Sequence, residues 1–200
     1  MRNNFLASPQ AIQDTIAHII EVEGGYTNNP DDTGGETTWG ITKRVSRMYS
    51  DWWDEFNWDG EMKTLPVELA RAIYLEEYYY KPKFYLLEDY APLIVKELTD
   101  TGVNCGTGTS TKFLQRVLNS FNNKEEYYDD LIVDGLMGSK TVNAYKTLCG
   151  KRGNSVTENV IYNCLNALQT VKYIELTEKR EKNETFAWGW IANRVDYTPF

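Results

Sequence analysis

The sequence contains a single histidine, His18, and only three cysteines, which have no CxxC spacing. Zinc amidases and zinc peptidases generally use two or more histidine ligands, and a Cys–His peptidase would have to pair His18 with a distant cysteine. An odd number of separated cysteines also argues against a disulfide framework. We therefore expect no metal and no cofactor, and hydrolysis by this chain would depend on carboxylate chemistry.

Positive charge is also scarce, because 21 basic residues face 29 acidic ones and leave a net charge of −8. Nucleic acids and acidic membrane surfaces bind clustered lysine and arginine, so both are disfavoured as partners. No run of 18 apolar residues is present, and the first ten residues, MRNNFLASPQ, lack the apolar stretch of a signal peptide. The sequence predicts a monomer that does not insert into a membrane and is cytoplasmic as synthesised.

Helical spacing of apolar residues dominates the chain. Ile12, Ile16, Ile19 and Ile20 predict a first helix over about residues 9–23, which the glycine pair after Glu23 ends. The turn-rich segment that follows leads to TTWGIT, which predicts a small β-hairpin. Further helices are expected after Pro66, near residues 92–103, in KFLQRVLNSF, near residues 157–183 and in FAWGWIANRV. The expected fold class is mainly α, with one small β-hairpin lobe after the first helix.

Glu23 is the acidic residue that the helix phase selects. It follows Ile19 by four residues and Ile20 by three, so it continues the apolar face, whereas Glu21 points elsewhere. Apolar surroundings and the partial negative charge of a helix C-terminus both disfavour an ionised carboxylate. We therefore expect Glu23 to be directed inward and held as a protonated acid.

Cleavage of a glycosidic bond needs two carboxyl groups in unlike surroundings. One must be protonated to donate to the leaving oxygen, and the other must be ionised to stabilise positive charge or to activate water. Asp32 lies in a polar turn, which suits the ionised partner. By composition alone, Asp31, Asp32 and Glu36 would be ordinary residues of a solvated loop, so the assignment depends on their spacing.

That spacing resembles the catalytic pattern of phage-type lysozymes. A glutamate at a helix end is followed after eight residues by an aspartate, after five more by a threonine, and then by glycine and isoleucine. The pattern falls without a gap on Glu23, Asp32, Thr38, Gly40 and Ile41. The resemblance implies that Glu23 is the acid, that Asp32 is its partner and that Thr38 orients the water.

A fuller resemblance is to glycoside hydrolase family 108, the N-acetylmuramidases also labelled secretion activators, and it covers nearly the whole chain. The motifs that carry it are EGGY at Glu23–Tyr26, NPDDTGGETTWGIT at Asn29–Thr42, DTGVNCG at Asp100–Gly106, LQRVLN at Leu114–Asn119 and VDGLMGSKT at Val133–Thr141. It implies a lysozyme-like helical fold with Glu23 as the catalytic acid. The family commonly keeps its threonine at Thr37, so either Thr37 or Thr38 is the candidate for positioning water.

The second carboxylate and the substrate contacts stay open at this point. Asp32 is our choice, and Asp31, Glu36 and Asp100 are the alternatives. The rings of Tyr26 and Trp39 flank the proposed acid and are expected to stack on sugars, although Trp39 has an equally plausible role in packing under the hairpin. The family match also makes Asn104 a candidate donor to an N-acetyl group.

The C-terminal half resembles a small peptidoglycan-binding module, or it completes one core with the first half. We expect a lysozyme-like catalytic region at residues 1–104 and a helical peptidoglycan-binding-like region at 105–200. Trp188 and Trp190 near the end are expected to be core residues rather than rings that line a groove.

The function that the resemblance implies is hydrolysis of the β-1,4 bond between N-acetylmuramic acid and N-acetylglucosamine in peptidoglycan strands. The alternatives are a lytic transglycosylase and a non-catalytic module of the same fold that binds the cell wall or assists secretion. Without a signal peptide, action on the wall would follow holin-type or non-classical export.

Overall fold

The computed structural model describes residues 5–28 and 35–196, and the chain divides into two compact units, Met1–Lys81 and Pro82–Phe200. The N-terminal unit contains the helices and strands α1 (Gln10–Glu23), β1 (Thr37–Thr38), β2 (Ile41–Thr42), α2 (Lys43–Met48) and α3 (Val67–Leu75). Short 3-10 helices lie at Phe5–Ala7, Ser50–Phe56 and Met62–Thr64, and a π-helical turn, Glu76–Tyr80, continues α3. Asp31 and Asp32, two of the candidate carboxylates, lie outside the described residues.

The regular secondary structure of the C-terminal unit is all helical in its described residues, and a long irregular segment at 121–138 separates two of the helices. A 3-10 helix at Phe84–Leu87 precedes α4 (Pro92–Cys105), α5 (Thr107–Ser120), α6 (Ser139–Arg152) and α7 (Asn154–Lys179), and a second at Glu181–Asn183 precedes α8 (Glu184–Arg194). The long helix α7 packs against the other four α-helices of the unit. The mainly α fold with one small antiparallel hairpin is therefore confirmed. Across the described residues, no helix is both long enough and apolar enough to cross a membrane.

The core of the N-terminal unit is formed where α1 packs against α3. Ile12, Ile16 and Ile19 of α1 and Leu69 and Ile73 of α3 are fully buried, as the helical spacing of the isoleucines predicts. Helix α1 ends at Glu23 because Gly24 takes a positive φ of 74° and its N–H closes back on Ile20 O at 3.1 Å. The end of this helix is thereby fixed at the edge of the core.

A buried polar cluster joins three helices of the C-terminal unit. Asp100 of α4 accepts a hydrogen bond from Arg194 of α8 at 3.0 Å and another from Gln169 of α7 at 3.1 Å. Both charged side chains are largely buried, so the loss of either one would leave an uncompensated charge inside the unit. The partners of Asp100 give this residue a clear structural role.

The two tryptophans of α8 differ in their surroundings. Trp190 packs against Tyr173, with ring centroids 5.5 Å apart, and against Phe186 at 6.1 Å. Trp188 is 86% exposed, so the expectation that it is a core residue is wrong. One face of α8 meets α7, and a residue two positions from Trp190 points to another side of the helix.

Glu97, one turn before Asp100 in α4, is a buried acid whose ionisation affects stability. Thr101 donates a hydrogen bond to its carboxyl at 2.9 Å, and burial, followed by the negative charge of Asp100, raises the pKa of Glu97 to about 8. An unfolded glutamic acid titrates near pH 4, as the reference value of about 4.3 shows. Because the folded pKa is the higher one, the stability that the protonated form contributes is complete below the unfolded value and is lost as the pH rises through 8.

We therefore predict that Glu97→Gln flattens the pH dependence of stability. The free energy of unfolding of the wild-type unit should fall by about 2–4 kcal/mol between pH 5 and pH 8, and that of the variant should fall less. Denaturant titrations at each pH measure the difference. Glu178→Gln, at an exposed position on α7, is the matched control and should keep the wild-type slope. Parallel profiles for Glu97→Gln and the wild type would contradict the prediction.

Candidate active site

Glu23 is the last residue of α1, and its side chain is exposed. The prediction that it points inward and is buried is therefore wrong for its carboxyl end. The reason is that α1 stops at Glu23, so no further turn covers the side chain. Its stem still lies against the hairpin, since a Cβ placed on Gly40 would be 3.0 Å from the Glu23 Cγ. The carboxylate stands beside the hairpin turn, open to a substrate.

The hairpin turn consists of Trp39 and Gly40, which both have positive φ, at 54° and 74°. Two positive values are what a type I′ turn between adjacent strands requires, and the strands pair in register Thr37 with Thr42 and Thr38 with Ile41. A tryptophan in the left-handed region is disfavoured by roughly 1–2 kcal/mol. Hydrogen bonds between Trp39 and residues outside the hairpin stabilise the turn.

Three hydrogen bonds hold Trp39. Its N–H donates to Gly24 O at 3.1 Å, its indole Nε1 donates to Leu65 O at 3.0 Å, and its carbonyl accepts from the Tyr74 hydroxyl at 3.2 Å. The first of these bonds ties the turn directly to the residue that follows Glu23. Trp39 is half-buried, and its hydrogen bond to Leu65 O supports the packing role under the hairpin.

Tyr74 and Tyr78 are site residues that the sequence reasoning missed. Their rings stack at 5.6 Å with an interplanar angle of 29°. Burial raises the pKa of the Tyr78 hydroxyl, and the negative charges of Glu77 and then Glu23 raise it further, which places the Glu23 carboxylate within electrostatic reach of this phenol. Their four-residue spacing on one helical segment was the available signal, since such residues share a face.

Tyr26 and Glu36 interact on the other side of the hairpin. The Tyr26 hydroxyl donates to Glu36 Oε1 at 3.2 Å, and Lys43 Nζ lies 2.5 Å from Glu36 Oε2. The hydrogen bond from Lys43 lowers the pKa of Glu36, so this carboxylate is ionised. Lys63 Nζ lies 5.5 Å from the centre of the Tyr26 ring and covers one of its faces. Tyr26 is thus held by two charged neighbours, and its side chain is half-buried.

The two candidate threonines face different surroundings. Thr38 is 2% exposed and its hydroxyl donates to Met62 O at 2.5 Å. Thr37 is half-buried, and its hydroxyl donates to Gly35 O at 3.2 Å. The structure therefore uses Thr38 to fasten the hairpin to the 3-10 helix at Met62–Thr64, and it leaves Thr37 as the more accessible of the two hydroxyls.

Asp100 and Asn104 belong to the C-terminal unit, where both take part in local structure. Asp100 forms the buried ion pair with Arg194, and Asn104 Nδ2 donates to the Asp100 carbonyl at 3.0 Å, one turn back on the same helix. No group of histidine, cysteine, aspartate or glutamate suited to hold a metal ion occurs among residues 5–28 and 35–196. The three cysteines are unpaired thiols.

A mainly helical fold, with a small hairpin fixed to the end of a helix that presents a glutamate, defines a protein of the lysozyme-like class. Residues 16–106 match the family model described as glycosyl hydrolase 108, and residues 109–195 match the predicted peptidoglycan domain. Residues 16–106 therefore belong to the glycosyl hydrolase 108 family, and the predicted peptidoglycan domain follows them. These two matches support a glycoside hydrolase that acts on peptidoglycan.

The solved structure of Brucella abortus SagA is similar to this chain, with a TM-score of 0.59 and 25% sequence identity over 90% of this chain and 87% of that one. Among curated proteins, none matches the sequence. The two family models meet between residues 106 and 109, whereas the compact units divide after Lys81, because α4 packs against α5 and α7. The division into regions 1–104 and 105–200 stays a prediction.

The packing of Gly40 gives a direct test of the site geometry. A Cβ at Gly40 would collide with the Tyr74 hydroxyl and press on Glu23, whereas a Cβ at Gly153, which also has a positive φ, would meet no atom of the described residues within 4 Å. We predict that Gly40→Ala lowers peptidoglycan hydrolysis about tenfold or more and costs about 2–4 kcal/mol of stability. Turbidity clearing of cell-wall suspensions and denaturant unfolding measure the two effects.

Gly153→Ala, in the C-terminal unit, is the matched control for Gly40→Ala. It carries the same backbone penalty, of about 1–2 kcal/mol, without the collision, and should keep most of the hydrolytic activity. Equal losses of activity in the two variants would show that the contact of Gly40 with Glu23 and Tyr74 does not matter.

Proposed function

We propose that the protein is an N-acetylmuramidase, which hydrolyses the β-1,4 bond between N-acetylmuramic acid and N-acetylglucosamine, with Glu23 as the general acid. The observation that supports this most is the position of Glu23: an exposed carboxyl at the end of α1, with the hairpin turn fixed beside it. A proton donor must reach the glycosidic oxygen, so the carboxyl has to be accessible to a long polymer.

The neighbours of Glu23 suit a sugar chain. Trp39, Tyr26 and Tyr78 are partly exposed aromatic residues with polar edges, and the buried ring of Tyr74 stacks on Tyr78. In the proposed reaction Glu23 protonates the leaving oxygen and Asp32 stabilises the oxocarbenium-like state or helps to hold water. Thr37 is the better candidate for orienting that water, because the hydroxyl of Thr38 is buried against Met62.

Glu23→Gln tests the assignment of the acid. The change preserves shape and removes the titrating proton, so we expect activity on peptidoglycan to fall by about 10²–10⁴-fold while folding is kept. Glu21→Gln is the matched control, since Glu21 is an exposed glutamate two residues earlier on α1, and it should keep wild-type activity. Clearing of purified cell walls measures both. Substantial activity in Glu23→Gln would exclude Glu23 as the acid.

Mass spectrometry of the digested wall tests the reaction type. A muramidase releases fragments that end in reducing muramic acid, whereas a lytic transglycosylase releases anhydro sugars. A module that only binds the wall releases neither. Reducing muramic acid ends that disappear in Glu23→Gln would support the proposal, and anhydro ends would replace it with the transglycosylase alternative.

A comparison of Asp32→Asn with Glu36→Gln tests which residue is the second catalytic carboxylate. We expect Asp32→Asn to lower activity about 100-fold, in the range that carboxyl groups contribute to general acid–base catalysis. Glu36 is engaged by Lys43 and Tyr26, so Glu36→Gln should disturb the hairpin but keep activity within about tenfold of the wild type. If Asp32→Asn stays active and Glu36→Gln does not, the partner of Glu23 is Glu36.

A further inference from the structure

A basic pocket lies at the open end of the hairpin in the N-terminal unit. It has a volume of about 550 Å³ and is lined by Gly35, Glu36, Lys43, Arg44, Arg47 and Met48. Three of these six residues are cations and one is an acid, in a chain whose net charge is −8. The pocket is therefore locally positive although the chain as a whole is negative, and such a surface is suited to bind an anion.

The three cations of the pocket differ in their ion-pair partners. Lys43 is neutralised by Glu36, whose carboxylate lies 2.5 Å from its Nζ. Arg44 and Arg47 are both exposed, and neither makes a hydrogen bond or an ion pair with another described residue. They lie three positions apart on α2, a spacing that places side chains on the same face of a helix. Both guanidinium side chains therefore line the pocket, and none of the described residues neutralises them.

The hairpin connects this pocket to Glu23. Its turn, Trp39 and Gly40, contacts Glu23, and its open end is formed by Glu36 before β1 and Lys43 after β2. Three residues of extended chain separate the turn from the open end, a distance of about 10 Å at roughly 3.3 Å per residue. The pocket therefore begins about 10 Å from the turn beside the proposed acid, a distance that a short peptide can span.

We propose that this pocket binds a carboxylate of the peptide stem carried by the muramic acid next to the bond that is cut. The inference rests on the proposed function. The N-acetylated sugars of the glycan are uncharged, so the carboxylates of the peptides are the anionic groups of the strand itself. The stem starts on the muramic acid, beside the site of cleavage, and a planar guanidinium pairs with a carboxylate through two parallel hydrogen bonds. The pocket would make the enzyme prefer peptide-bearing glycan to bare glycan.

The test measures binding with and without peptides on the glycan. The background is the full-length chain with Glu23→Gln, so that binding is measured whether or not the wild type cuts the strand. The probes are purified sacculi freed of phosphate polymers by acid, and the soluble glycan that an amidase releases when it removes the peptides from the same sacculi. Co-sedimentation gives the affinity for the insoluble sacculi, and competition by the soluble glycan gives the affinity for the amidase-treated probe. The amidase leaves the lactyl carboxylate on the muramic acid, so a contact with that group would appear as an equal loss on both probes. The pocket variant is Arg44→Gln with Arg47→Gln, and the control is Lys83→Gln with Lys96→Gln, two solvent-accessible cations outside the matched peptidoglycan domain.

The pocket variant should bind peptide-bearing sacculi about tenfold more weakly, the scale of two partly exposed charge-assisted hydrogen bonds, and should bind the amidase-released glycan as its parent does. The control should match its parent on both probes. Equal binding of the variant and its parent to peptide-bearing sacculi would overturn the inference, as would an equal loss on both probes. A loss seen only with sacculi that keep their phosphate polymers would also overturn it, since the ligand would then be a phosphate.

Digestion by chains that keep Glu23 tests the proposed function separately. If the wild type releases no fragments from either probe, the muramidase proposal fails, while the binding comparison still decides whether the pocket recognises peptide. In an active enzyme, the pocket variant should raise KM on peptide-bearing sacculi about tenfold with little change in kcat, because the lost contact is made equally before and during the reaction.

Discussion

The hydrogen bond from Trp39 N–H to Gly24 O is the interaction on which the geometry of the candidate site depends. It joins the hairpin turn to the residue that ends α1, and so fixes the hairpin beside Glu23. The turn needs positive φ at a tryptophan, which costs roughly 1–2 kcal/mol, and the bonds from Trp39 to Leu65 and from Tyr74 to Trp39 offset that cost. Strain at a position fixed from several sides is a common feature of sites that must hold one geometry.

Sequence periodicity predicted the secondary structure well, but it predicted the burial of side chains less well. The spacing of isoleucines located α1 and gave the direction in which the Glu23 stem leaves the helix. It could not give burial, because burial depends on what packs beyond the last turn, and nothing in the chain's local pattern specifies that. For the threonines, the two-residue alternation of a strand shows that Thr37 and Thr38 face opposite sides, but only the contact with Met62 shows which side is the interior.

Partners distant in sequence explain most of the remaining differences. Asp100 seemed a plausible catalytic carboxylate as part of DTGVNCG, yet its ion pair is with Arg194, 94 residues away. No local pattern identifies such a partner, so a motif residue that fastens helices together looks the same in sequence as one that binds substrate. Tyr74 and Tyr78 illustrate the converse case, because their place beside Glu23 follows from the packing of α3 on α1 and not from any motif.

The two acids described around the hairpin have surroundings that suit different tasks. Glu36 accepts hydrogen bonds from Lys43 and Tyr26, which keep it ionised and make it a poor source of protons. Glu23 has an exposed carboxyl whose stem alone is packed, so a substrate can approach it closely. An exposed acid loses its contact with water only when a glycan strand covers it. In the proposed function, binding of the strand and exclusion of water from Glu23 are therefore one event, and the proposed contacts of Arg44 and Arg47 would hold the strand equally before and during the reaction.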